Sequence, residues 1–307
     1  MLTGDSFRPA IYLRNGHVQT ILASSPFRAW SKNSMRDAAR EVILTTRDKI
    51  RLLGHYSPQS SKKTAGTVIL LHGWEGSADS SYILCTGNAL YQRGYDIFRL
   101  NFRDHGDSHH LNQGIFYAVL LEEVFQAVRQ VCKKAGAKPV FLVGFSLGGN
   151  FALRIARRMH RDPIENLWHA VAVSPVLAPG KSTLKIDQYP IIRIYFLKKW
   201  LRSLKKKQRL FPDAYDFAPV MPLKTIQAVT DFLLEKYSEF NSAEQYFREY
   251  SLLKDAVKDL AVDTTIIAAR DDPIIPVEDF YQLELNERTS LSIHDFGGHN
   301  GFLMDFF

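Results

Sequence analysis

Three residues far apart in the chain could together activate a nucleophile: Ser146, Asp272 and His299. A serine hydroxyl is a poor nucleophile near neutral pH. It needs an adjacent base, and the base needs an orienting acid. Ser146 is the centre of Gly144-Phe145-Ser146-Leu147-Gly148, followed by a third glycine, Gly149. His299 follows Gly297 and Gly298 and precedes Gly301, so its loop is free to fold over a sheet rim. Asp272 opens the run Asp272-Pro273-Ile274-Ile275-Pro276. An oxyanion formed on attack would need donors. The N–H of Leu147, directly after the serine, supplies one, and the N–H of Trp74 in His72-Gly73-Trp74 supplies the other.

Each of these residues has a rival. His294 lies inside an alternating strand pattern that would fix its ring to one face, so His299 is preferred as base. Asp271 adjoins Asp272 but fits a turn cap or a solvent-facing residue. His17, in the polar cluster Asn15, His17, Gln19 and Thr20, reads as a hydrogen-bonded histidine pinning an N-terminal arm to the core. His105, His109 and His110 crowd one loop with Asp104 and Asp107, which raises the thought of a metal. No helical His-x-x-x-His and no cysteine supports that, so a hydrogen-bonded or solvated loop is expected, with neither metal nor cofactor.

The elements that would position these groups follow from periodicity. Pro139–Val143, Thr67–Leu71, Tyr95–Asn101, Trp168–Ser174, Thr264–Ala269 and Ser290–Asp295 are short apolar or alternating runs and read as strands. Residues 41–46 and 50–56 form two more around Arg47-Asp48-Lys49. Helices are expected over about 80–93, ending at Gly94, over about 116–134, and over 151–159. Residues 24–39 and 59–66 read as loop. Strands alternating with helices imply an α/β fold, a mostly parallel central sheet with helices on both faces. Residues 177–262 lack strand alternation and read as an inserted helical cap. The expected organisation is therefore an N-terminal arm over 1–40, a core over 41–176 and 263–307, and the cap over 177–262. Ser146, Trp74, Asp272 and His299 all fall just after strand ends, the rim where such sheets bind ligands.

Composition is that of a globular protein: 307 residues, 46% hydrophobic and 23% charged. Cys85 and Cys132 lie far apart and suit a reducing compartment. The N-terminus lacks the basic-then-apolar order of a signal peptide, and no apolar run approaches a membrane span. A cytoplasmic location is expected. The net charge of +7 is uneven: residues 181–210 carry ten Lys or Arg against Asp187, which is +9 and leaves −2 elsewhere. Within residues 188–209, Ile194, Leu197, Leu201 and Leu204 recur at helical spacing, and Lys198, Arg202 and Lys205 share another face, with Lys206 and Lys207 beyond. The simpler reading is a cap helix with solvated lysines. The other is peripheral contact with an anionic membrane, with Trp200 and Tyr195 at headgroup level. Nucleic acid is not expected as a partner.

The serine turn, His72-Gly73 and the Asp272 and His299 loops resemble the α/β-hydrolase superfamily. Asn15–Ile21, His72-Gly73-Trp74-Glu75-Gly76-Ser77, Ser242–Ser251, Ala269–Pro273 and Gly297-Gly298-His299 further resemble its YheT-like branch, which includes embryogenesis-associated-protein-like hydrolases. The resemblance spans nearly the whole chain. It implies a serine hydrolase of carboxylic esters, short- to medium-chain or acyl lipids, with Ser146, Asp272 and His299 as triad. One segment departs from it: Arg103-Asp104-His105-Gly106-Asp107-Ser108-His109-His110 replaces an Arg-Gly-Cys/His-Ser-Gly pattern. This loop is expected to line the pocket, so substrate choice does not carry over. An acyltransferase on the same site would be separated by product analysis with an added alcohol. A non-catalytic binding protein would be separated by failure to label with a fluorophosphonate.

Overall fold

The strand β3 (Thr67–Leu71) is buried at every residue because both its faces are covered. Ile69 and Leu71 join one apolar core and Val68 and Leu70 another, as the two-residue strand period requires. The structure is a computed structural model and describes residues 7–25, 28, 32–60 and 64–305. Residues 1–6 of the expected arm, parts of the expected loops 24–39 and 59–66, and the last two residues of the expected core lie outside the described residues.

The remaining strands are β1 (Arg40–Thr45), β2 (Arg51–Ser57), β4 (Asp96–Leu100), β5 (Val140–Phe145), β6 (Leu167–Val173), β7 (Asp263–Ala269) and β8 (Thr289–His294). They form an eight-stranded sheet in the order β1-β2-β4-β3-β5-β6-β7-β8. β2 pairs antiparallel with β1 and β4, and every other pairing is parallel. The expected mostly parallel α/β sheet is thus the observed one.

Helices α1 (Gly16–Ala23), α2 (Ser34–Asp37), α3 (Ser81–Gln92), α4 (Leu121–Ala135) and α5 (Leu147–Arg158) precede β6. α4 and α5 supply Val124, Phe125 and Phe151 to the core that holds Ile69, and α2 and α3 supply Met35 and Ile83 to the opposite one. Two expectations need correction. The segment 24–39 contains α2, nucleated by the Asn33 side chain accepting from the Arg36 N–H at 2.9 Å. The helix expected from 116 starts at Leu121. Upstream, the Phe116 N–H donates to Asp104 Oδ2 (3.1 Å) and the Ala118 N–H to Tyr246 Oη (2.9 Å). Tertiary partners have taken donors that a helix start would leave to water.

Between β6 and β7 come α6 (Pro179–Gln188), α7 (Pro190–Leu210), α8 (Ile226–Tyr237) and α9 (Ala243–Glu249), and α10 (Glu278–Tyr281) follows β7. Asp187, the acid inside the basic segment, receives the Ile226 and Gln227 N–H groups at 2.7 and 3.0 Å, satisfying the start of α8. The lysine run is not uniformly solvated. Lys207 is 1% exposed, and its Nζ donates to Asp104 Oδ1 (2.7 Å) and to the carbonyls of His109, Asn112 and Gly114. Neither expectation for the basic segment placed a lysine inside the protein; helical phase turns this one inward beside Leu204. Lys206 bonds Asp107 at 3.0 Å, and Lys205 is exposed.

Lys207→Met should therefore destabilise the protein by about 3–5 kcal/mol at pH 7, because it strands the Asp104 carboxylate. Burial raises the Asp104 carboxyl to about 6 against the pull of Lys207. The carboxyl is mostly protonated by pH 5, so the difference between variant and parent in urea unfolding should narrow there.

Candidate active site

Ser146 sits on the turn from β5 to α5 with φ 54° and ψ −116°. That left-handed φ is strained for serine, by something like 1–3 kcal/mol, and the surroundings hold it. The Ser146 N–H donates to the Val173 carbonyl (2.9 Å), and its own carbonyl accepts from Asn150 and Val176. Glycine is required on both sides. A Cβ on Gly144 would lie 2.1 Å from the Gly148 carbonyl oxygen, and one on Gly148 would lie 2.3 Å from that of Leu71.

Of the residues expected in the site, the structure brings Ser146, His299 and Asp272 together. His299 Nε2 lies 2.8 Å from Ser146 Oγ, and Nδ1 lies 2.9 Å from Asp272 Oδ2. A carboxylate only accepts, so Nδ1 carries the proton and Nε2 is left to accept from the serine hydroxyl. Asp272 is aimed by its other oxygen, which takes the Ile274 and Ile275 N–H groups at 2.8 and 3.0 Å. The set is nearly dry: Ser146 is 8% and His299 7% exposed. Asp271 turns elsewhere, and its Oδ1 accepts from the Gly298 N–H at 2.8 Å, closing the turn that carries His299. His294 pairs with Ser292 at 3.0 Å, away from the serine.

The turn after β3 approaches the serine from the other side. Trp74 and Leu147 both line the cavity that contains Ser146. Among the described residues neither N–H donates to a protein acceptor, and Leu147 is the first residue of α5, where the helix provides none. Two histidines pin this turn. His72 Nδ1 donates to the Gly73 carbonyl (2.8 Å), and its Nε2 accepts from the Phe102 N–H (3.2 Å). His105 Nδ1 donates to the Arg103 carbonyl (2.8 Å), and its Nε2 accepts from the Glu75 N–H (3.2 Å). Burial pushes both rings down, His72 well below its usual value and His105 to about 4, so both are neutral. His109 bonds Ser203 at 2.8 Å. His72 and His105 thus brace the backbone, while His109 ties its loop to a side chain of α7.

His17 is a correction. It is exposed, and its ring meets Tyr189 edge-on at 5.0 Å. The pin from arm to core is Gln19, which is fully buried. Its amide nitrogen donates to the carbonyls of Leu13 and Leu303, and its oxygen accepts from the Leu303 N–H, all within 3.0 Å. Thr20 adds an acceptor for the His299 N–H at 2.9 Å. Both residues stand in the Asn15–Ile21 stretch. Only the helical phase of α1 separates the outward His17 from the inward Gln19.

Residues 66–305 match the family model described as alpha/beta hydrolase fold, and the chain belongs to that family. It is 24% identical to YheT, a candidate esterase of Escherichia coli, over 242 residues, 77% of this chain and 70% of that protein. It is also 24% identical to the phospholipase ABHD3 of Mus musculus over 253 residues, 78% of this chain and 59% of that protein. The esterase Pf2001 of Pyrococcus furiosus superposes with a TM-score of 0.58 at 18% identity, over 90% of this chain and 89% of that one. The resemblance to the YheT-like branch agrees with these matches.

Gln19→Leu should cost about 1–3 kcal/mol in chemical denaturation, because it leaves buried backbone groups of Leu13 and Leu303 without partners. The amides of residues 297–303 should exchange faster with solvent, while those of β5 should not.

Proposed function

We propose that this protein is a serine hydrolase of carboxylic esters, with Ser146 as nucleophile, His299 as general base and then acid, and Asp272 holding the imidazole. The observation that carries the reading is the relay of 2.8 and 2.9 Å beneath a strained serine. His299 Nε2 takes the hydroxyl proton as Ser146 Oγ attacks the ester carbonyl, and returns it to the leaving alcohol. Water, activated by the same nitrogen, then releases the acid from the acyl-enzyme. The Leu147 and Trp74 N–H groups receive the oxyanion, each worth roughly 2.7–4 kcal/mol in the transition state. No step calls for a metal or cofactor.

The site opens into a cavity of about 960 Å³, large enough for an acyl chain. Its lining includes the apolar side chains of Ile226, Leu233, Leu234 and Phe247. Relatives named phospholipase ABHD3 and monoacylglycerol lipase ABHD2 support acyl lipids alongside simpler esters. Residues 177–262 form the cap over this site. Trp74 stacks on Phe196 at 5.3 Å and meets Trp200 edge-on at 4.9 Å, which joins α7 to the oxyanion turn.

A peripheral lipid contact has its own support. Ile191 is 73%, Ile194 48% and, on α1, Ile21 54% exposed, with Lys198, Arg202 and Lys205 exposed on α7. Ile191 and Ile21 also line the cavity. An apolar rim flanked by cations suits an anionic bilayer. Among the described residues no helix is long and apolar enough to cross a membrane.

Ser146→Ala and His299→Ala should abolish fluorophosphonate labelling and ester turnover without unfolding the protein. Asp272→Asn should lower kcat by about 10⁴, and Asp271→Asn far less. Equal effects of the two aspartate changes would refute the assignment of the acid. For the lipid contact, Lys198→Gln with Lys205→Gln should weaken salt-sensitive binding to phosphatidylserine vesicles while turnover of a soluble ester persists. Unchanged vesicle binding would remove the membrane reading.

A further inference from the structure

The polar groups around the cavity are mostly committed. Tyr82 Oη accepts from the Gly73 N–H, Asp104 and Lys207 hold each other, and both nitrogens of His105 are used. Glu75 is different. It lines the cavity with Ser146 and Trp74, and among the described residues no hydrogen bond or ion pair reaches its carboxyl. Its backbone has φ 54° and is braced by His105, so the carboxyl is presented by a held turn rather than a loose one. It follows Trp74 directly, beside the proposed oxyanion site.

We propose that the Glu75 carboxyl is a specificity-determining contact that hydrogen-bonds a hydroxyl on the alcohol portion of the ester substrate. The inference rests on the hydrolase reading above. The alcohol portion is assigned by the layout of the cavity. Its buried wall of Leu233, Leu234 and Ile226 suits an acyl chain, whereas Glu75 lies within electrostatic reach of Lys199 on α7, next to the 42% exposed Tyr195. The leaving alcohol therefore faces the side that carries Glu75 and Lys199.

A hydroxyl is the matching partner because an uncharged carboxyl offers both a donor and an acceptor. Burial pushes the Glu75 carboxyl up to about 8, with Asp104 adding to the rise and the Lys199 ammonium opposing it. The other titratable groups packed against this turn stay uncharged throughout this range: burial holds His72 and His105 neutral and raises Tyr82 to about 12. Below pH 8 the carboxyl is protonated and can donate. Above pH 8 it becomes a carboxylate, which still accepts from the substrate hydroxyl but sets a negative charge beside the developing oxyanion.

The test compares the ethyl and 2-hydroxyethyl esters of one fatty acid, with wild type, Glu75→Gln and Glu75→Leu, from pH 6 to 10. Wild type should favour the hydroxyethyl ester in kcat/KM by about tenfold, the scale of one hydrogen bond, through a lower KM. That preference should persist above pH 8, where the carboxylate still accepts from the hydroxyl, while kcat falls on both esters alike. Glu75→Gln should keep the preference and escape the fall in kcat above pH 8, since an amide retains donor and acceptor and does not ionise. Glu75→Leu should lose the preference at every pH. Fluorophosphonate labelling with equal treatment of the two esters by wild type, or an equal loss on both in Glu75→Leu, would overturn this inference alone. Absence of both labelling and turnover in wild type would overturn the hydrolase reading and this inference with it.

Discussion

The close approach of α5 to the ends of β3 and β5 is the constraint on which the site depends. With Gly144 and Gly148 in place, the first turn of the helix packs directly on the strand backbones, and Ser146 is driven to φ 54° at the crest. No single bond would hold a serine there. Its N–H is taken by β6 through Val173, its carbonyl by Asn150 and Val176, and Asn150 is anchored in turn to the carbonyls of Val176 and Tyr250. The strain is distributed over β6, α5 and the segment after α9, and so is local in position but global in support.

The turn after β3 is held by a different device. His72 and His105 use both ring nitrogens, each donating to a carbonyl and accepting from an N–H. Only a neutral imidazole can do this, and complete burial supplies the neutrality. Two titratable residues thus behave as fixed dipolar struts between the β3 turn and the β4 loop. Their strength comes from low dielectric and full satisfaction, the conditions under which buried polar networks rigidify a structure.

Much of this was legible in the sequence. The sheet strands announced themselves through β-branched runs bounded by turn residues, and the serine, aspartate and histidine through their glycine and proline neighbours. What was not legible depends on side-chain direction. His17 and Gln19 lie two residues apart on one short helix, and only its orientation against the C-terminal loop makes Gln19 the buried one. Lys207 looks like the third lysine of a solvated run, and only the phase of α7 turns it inward. The late start of α4 has a related origin, since the donors at Phe116 and Ala118 are claimed by side chains outside the helix, Asp104 at 12 and Tyr246 at 128 residues' separation. Periodicity reports local preference. It is silent about partners a hundred residues away.

Asp104 shows how a departure from a family pattern can be tied to its consequences. It stands where the Arg-Gly-Cys/His-Ser-Gly pattern has glycine, and it keeps the left-handed backbone a glycine would favour, at φ 57°. Aspartate tolerates that region better than most residues, but the conformation and the burial of its carboxyl both cost stability. Lys207 and the Phe116 N–H offset that cost. Through Lys207 the β4 loop grips the C-terminal half of α7, and the N-terminal half of the same helix sets Phe196 and Trp200 against Trp74. An aspartate in place of glycine in this loop is thereby linked, through α7, to the aromatic residues packed on Trp74. The loop can act on substrate choice through the position of α7 as well as through its own side chains.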